Sequence, residues 1–182
     1  MPETVTVAAL LRLIADRVAG LERTAWIGVD GLGASGKSTL ARAIAAATSG
    51  GVVSIDEFAR PGLRGWDQDR FVADVVEPLL AGHRAQYETW DLLAGAPNGS
   101  AEVPSGVPVV VEGVSSTDVR LPVPWDVTVW VDAPAEVRWR RILDRDPPEL
   151  LPVWREDWLP SERAYAEAQR PWQRVDYVVV GT

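Results

Sequence analysis

Gly31-Leu32-Gly33-Ala34-Ser35-Gly36-Lys37-Ser38 is the stretch on which the reading of this chain turns. It satisfies the pattern G-x-x-x-x-G-K-[ST]. Before it, Thr24 to Val29 is a short β-prone run; after it, Leu40 to Ala47 is rich in alanine and reads as a helix that stops at Ser49-Gly50-Gly51. A strand, a glycine-rich turn and a helix in that order make a cradle for phosphate. Small residues let successive backbone N–H groups curve around phosphate oxygens, and the helix N-terminus adds positive potential. Lys37 is suited to place a point charge on the β- and γ-phosphates, and the Ser38 hydroxyl to take one magnesium position. The expected phosphate-binding residues are Gly31, Gly33, Ala34, Ser35, Gly36, Lys37, Ser38 and Thr39. A plain Gly/Ser turn opening a helix is the bland alternative. Of 18 basic residues only Lys37 is a lysine, and it fills the one slot that needs an ammonium.

Working outward, Val5 to Leu21 carries Leu10, Leu11, Ile14, Val18 and Leu21 at helical spacing. Val52 to Ile55, Val107 to Val111, Val127 to Val131 and Tyr177 to Val180 are apolar runs expected of strands covered on both faces. Between them, Asp67 or Asp69 can cap a helix through Phe71, Val75 and Leu79, which Pro78 should kink or bring to its last turn. Ala85 to Ser105 reads as a loop or small hairpin. Pro134 to Asp144 reads as a helix, followed by a proline-rich stretch to Pro160 and a helix from Ser161 to Gln169 capped by Ser161. This alternation predicts one α/β domain over residues 1–182. Its architecture is a three-layer α/β/α sandwich on a parallel, five-stranded sheet, with a lid-like segment at about 138–160. Ligands in such sheets sit beyond the strands' carboxyl ends.

Two acids fall on those ends. Asp56 follows Val53-Ser54-Ile55 and can act either as the base for a substrate hydroxyl or as a magnesium ligand; a turn-capping acid is the structural alternative. Glu112 follows Val109-Val110-Val111 and can hold magnesium-bound water or accept nearby N–H groups. The expected metal set is Ser38, Asp56 and Glu112. Arg138, Arg141 and Arg145 share a helix face. They can spread over charge developing on a phosphoryl group, or pair with Glu136, Asp144 or Asp146.

Composition limits the classes. The 182 residues carry a net charge of −8, with 47% hydrophobic and 24% charged residues, which fits a globular domain and disfavours general nucleic-acid binding. There is no cysteine and one histidine, His83, so thiolate and histidine-cluster metal sites are excluded and a hard cation such as magnesium is expected. No apolar stretch approaches the roughly 20 residues of a membrane span. A cytoplasmic location with no membrane and no nucleic-acid partner is expected, and a homodimer stays open.

These residues resemble the uridine kinase family of P-loop kinases, relatives of phosphoribulokinase and pantothenate kinase. Ile27-Gly28-Val29-Asp30-Gly31 through Thr39 is similar to that family's opening, and Asp56-Glu57-Phe58 to its D-x-F-Y element, in which the aspartate is the catalytic base. Val75 to Leu79 with Gly82 and Tyr87 resembles its helix and the aromatic segment near the nucleoside. Val111-Glu112-Gly113 resembles its E-G turn, Arg138 to Asp146 its arginine-rich lid, and Val175 to Val179 its closing strand. The resemblance implies a P-loop NTPase fold, ATP and Mg²⁺, and transfer of a γ-phosphate to a hydroxyl of a small molecule, uridine or cytidine first. It implies Asp56, Lys37 and Arg141 as the catalytic group, Arg138 and Arg145 on ATP, and Asp67 and Tyr87 on the substrate. Ala59 stands where the family has tyrosine, and no histidine and arginine follow Tyr87, so the implied kinase chemistry is better supported than the nucleoside. A kinase of another hydroxylated metabolite, a nucleotide-dependent switch or ATPase, and a binder without turnover are the alternatives.

Overall fold

The computed structural model describes residues 1–60, 63, 65–91 and 94–180. Parts of the Glu57–Trp66 loop (residues 61, 62 and 64), two residues of the 85–105 segment and the final two residues of the expected domain lie outside them.

A short edge strand, β1 (Glu3–Thr4), precedes helix α1 (Val7–Val18), strand β2 (Trp26–Asp30), helix α2 (Lys37–Thr48) and strand β3 (Gly51–Ser54). A 3₁₀ turn, Ile55–Phe58, leads through the polar loop to α3 (Gln68–Phe71), which continues through a π stretch, Val72–Val76, into α4 (Glu77–Leu80). Then come β4 (Ala85–Asp91), β5 (Ala96–Val103), β6 (Val109–Glu112), β7 (Val127–Asp132) and α5 (Ala135–Arg145). The chain ends with α6 (Leu151–Val153), a second π stretch (Trp154–Trp158), α7 (Leu159–Gln169) and β8 (Tyr177–Val180).

Six strands form one parallel sheet in the order β1-β8-β7-β2-β6-β3. The parallel α/β architecture is as expected. The count is six because Glu3 and Thr4, too short a run for a sequence pattern, pair with Tyr177 and Val178 at the edge. Side chains alternate faces along a strand. Trp26, Val109 and Val111 therefore point into one core with Phe71, Val75 and Leu79, whereas Ile27, Val29 and Val110 point into the other with Leu10, Ile14, Leu40 and Ile44. Both faces of β6 are covered, and its three valines are fully buried. Each such side chain contributes roughly 1.5–3 kcal/mol.

Prolines shape two helices. Pro78 and Pro160 each follow a π stretch by two residues. A proline lacks the N–H that would bond four residues back, and its ring crowds that carbonyl; a widened turn before it relieves both. Pro78 also lies in the last turn of its helix, which ends at Leu80. The second case corrects the expected proline-rich stretch and its Ser161 cap. The backbone is helical from Leu151 through Gln169, and Ser161 Oγ donates back to the Trp158 carbonyl.

Asp67 caps α3, its carboxylate accepting the Arg70 N–H at 3.0 Å. Asp67→Ala should cost about 1 kcal/mol, a fall in Tm of about 2–4 °C for a chain of this size. Asp67→Ser should restore most of it, as calorimetry would record. The 85–105 segment forms an antiparallel hairpin with a bulge between Thr89 and Trp90.

Candidate functional site

The chain order reverses at β2, which lies between β6 and β7. In parallel sheets such a reversal opens a crevice at the strands' carboxyl ends. The phosphate loop begins there. Gly36 sits at the N-cap of α2 with φ +105°, a conformation that side-chain-bearing residues rarely adopt, so the motif's second glycine is required by backbone geometry. Lys37 is only 7% exposed, and its ammonium donates to the Leu32 carbonyl at 3.0 Å, lying across the loop. Ser35 Oγ is buried without a hydrogen-bond partner. A buried hydroxyl left unpartnered is costly, and an oxygen of a phosphate seated in the loop is an acceptor that would satisfy it.

Glu112 ends β6 beside the loop and is 5% exposed. Burial pushes its carboxyl above the usual range. Lys37 pulls the other way, Asp56 adds to the push, and hydrogen bonds with Ser38 and Ser54 favour the charged form. An acid raised in this way holds more protons folded than unfolded, so its contribution makes stability fall as pH rises above the ordinary glutamate value. Glu112→Gln removes that penalty. Its Tm should exceed that of the parent by a few degrees at pH 8, at about 2–4 °C per kcal/mol. The difference should shrink below about pH 4, where the carboxyl is neutral in both states. Thermal melts across that range test the sign.

Asp56 is the second residue of the 3₁₀ turn after β3, exposed to the cleft and close enough to act electrostatically on Glu112 and on Arg145. The cleft, about 1710 Å³, is lined by the whole loop from Gly33 to Thr39 together with Asp56, Asp67, Glu112, Arg141 and Arg145. Carboxylates, hydroxyls and a phosphate cradle therefore share one space. Among the described residues no group of three or more His, Asp or Glu side chains converges to hold a metal by itself. Magnesium commonly uses one or two protein oxygens and takes the rest from phosphates and water. Ser38 and Glu112, hydrogen-bonded to each other, fit that donor set.

The arginines sit differently from the expectation. Arg138 donates to the Gly33 carbonyl at 3.4 Å and Arg141 to the Ala34 carbonyl at 3.0 Å, so both hold the loop by its carbonyls, and Arg141 also borders the cleft. Arg145 is bound in a two-point pair to Asp146 at 2.6 and 3.0 Å, the ordinary ion-pair alternative, although it still borders the cleft. Tyr87 is placed away from the cleft, which corrects its expected position beside a substrate. Its ring is 3% exposed, packs on Phe58 at 5.0 Å and belongs to the core, and its hydroxyl bonds Glu57. Strand alternation explains this: Tyr87 faces inward on the hairpin, while Trp90, an odd number of residues further along the strand, lines the cleft beneath Arg60 at 4.3 Å. Residues without a local motif were missed in the sequence. They are Asp30, fully buried under the loop, and Trp154, Glu162 and Tyr165, which reach the same cleft from the C-terminal helix.

Fold, loop and cleft together define a nucleotide-binding protein of the P-loop type. The chain belongs to the AAA domain family, whose model matches residues 27–152. In structure it is similar to a possible uridine kinase from Bacillus stearothermophilus, with TM-score 0.70, 18% identity, and 95% and 96% of the two chains covered. It is also similar to a candidate fructose transport system kinase from Silicibacter sp. TM1040, with TM-score 0.66, 20% identity, and 96% and 98% covered. At these identities the likeness is one of fold, that of the P-loop kinases. No curated protein matches the chain. Among the described residues no helix is long and apolar enough to cross a membrane.

Proposed function

We propose that this chain is an ATP-dependent phosphotransferase that moves the γ-phosphoryl group of ATP to a hydroxyl of a small molecule. The observation that carries this reading is the shared cleft, in which Asp56 faces the same space as loop residues Gly33 to Thr39. The loop's N–H groups and Lys37 hold the triphosphate. Asp56 takes the proton of the acceptor hydroxyl as its oxygen bonds to the γ-phosphorus, and the bond to the β-phosphate oxygen breaks to leave ADP. Arg138 and Arg141 keep the loop in shape from its carbonyl side. When bound at Ser38 and Glu112, with Asp56 near, magnesium supplies neutralising charge on the phosphates.

A uridine- or cytidine-like nucleoside is the first acceptor, on the strength of the resemblance. The buried position of Tyr87 and the alanine at position 59 favour a second reading, a sugar or other polyol as acceptor. ADP release from ATP·Mg²⁺, measured across a panel of nucleosides and sugars, tests both. Release stimulated by one acceptor class supports the kinase and names that class. Slow release indifferent to every acceptor points instead to a nucleotide switch.

A further inference from the structure

Two side chains of α7 reach the phosphate loop and the strand end that precedes it. Glu162 is 7% exposed and accepts the Gly33 N–H at 2.9 Å. Tyr165, three residues on and so on the same helix face, donates to Asp30 Oδ2 at 2.5 Å. Asp30 is fully buried. Its carboxylate also accepts the Gly31 N–H at 2.7 Å, the Ser115 N–H at 3.0 Å and both the N–H and hydroxyl of Thr117, at 3.1 and 2.7 Å. Residue Gly33 is thus held through both of its flanking peptide groups, its N–H by Glu162 and its carbonyl by Arg138. Trp154, from the π stretch in the same helical run, closes the contact: a Cβ on Gly33 would lie 2.7 Å from its ring and 2.6 Å from Glu162 Oε1.

The first half of the loop therefore takes its shape from a helix more than 120 residues away in the chain. Burial, with Asp56 adding to it, pushes the Glu162 carboxyl up, opposed in part by the Gly33 N–H, Lys37 and Arg138. We infer that Glu162 and Tyr165 are positioning residues, which make the phosphate-gripping shape of the loop depend on docking of the 151–169 helical run. This rests on the reading that the loop binds a nucleoside triphosphate.

The test compares Glu162→Ala, Glu162→Gln and Tyr165→Phe with the parent chain. Hydrogen exchange of the peptide covering residues 30–38 is measured without nucleotide, then the KM values for ATP and for the best acceptor. Loss of one buried hydrogen bond predicts about tenfold faster exchange confined to this peptide, with a similar rise in KM for ATP and no change for the acceptor. Glu162→Gln, which keeps an acceptor oxygen for Gly33, should stay within about threefold of the parent. Unchanged loop exchange in both Glu162→Ala and Tyr165→Phe overturns the inference, as does faster exchange spread over the whole sheet. If Glu162→Ala fails to fold, Tyr165→Phe, which removes one oxygen, decides alone. A parent that binds no triphosphate defeats the functional reading instead, and the exchange result still judges the coupling.

Discussion

Asp56→Asn should lower phosphoryl transfer by about a thousandfold while leaving ATP affinity within about threefold, the range expected when a positioned general base is lost. Asparagine keeps the shape of the side chain in the 3₁₀ turn but cannot take the acceptor's proton. Asp56 is exposed to the cleft, so its loss leaves no buried group unpaired and stability should hold. Single-turnover transfer and equilibrium ATP binding, measured on the same preparation, separate the two quantities. Equal loss of both would move Asp56 from the proton-accepting role to the metal. Full retention of transfer would remove it from the chemistry.

The second large effect is at Lys37. Lys37→Ala should weaken ATP·Mg²⁺ binding by about a hundredfold or more, comparable with removing one preorganised donor from a developing anion. Lys37→Arg should rescue little. A planar guanidinium needs room for its fork, whereas an ammonium acts as a compact point charge, and the Lys37 side chain is enclosed and bonded back to Leu32. The chain carries 17 arginines, and a lysine only where the loop needs it. Loss of this cation also leaves Glu112 and Glu162 without a charge that favours their ionised forms. The alanine variant should therefore lose stability as pH rises through the raised range of both acids. Calorimetric titration with ATP at two pH values reads both consequences.

The candidates for these roles are legible in the sequence where chemistry is local. The phosphate loop is contiguous, its glycine spacing follows from backbone geometry, and the flanking apolar runs announce buried parallel strands. Asp56 and Glu112 were found because each ends such a run. What lay hidden depends on distant contacts. Glu162 and Tyr165 look like surface residues of a polar helix until β8 and the helix before it bring them beneath the loop. Asp30 reads as the last residue of a strand, yet its two oxygens gather five donors from three parts of the chain. Tyr87 misled because a resemblance carries residue type but not which hairpin face is inward. Of the three α5 arginines, Arg138 and Arg141 bond the loop's carbonyls, whereas Arg145 pairs with Asp146.

The central claim is that a triphosphate held by this loop gives its terminal phosphoryl group to a carbon-bound hydroxyl. Phosphorus NMR of the chain with ATP, Mg²⁺ and a mixture of nucleosides and sugars tests it in one tube. The account predicts a growing phosphomonoester resonance, matched mole for mole by ADP and absent with Lys37→Ala. ADP accompanied only by inorganic phosphate, or an unchanged ATP spectrum, would contradict it.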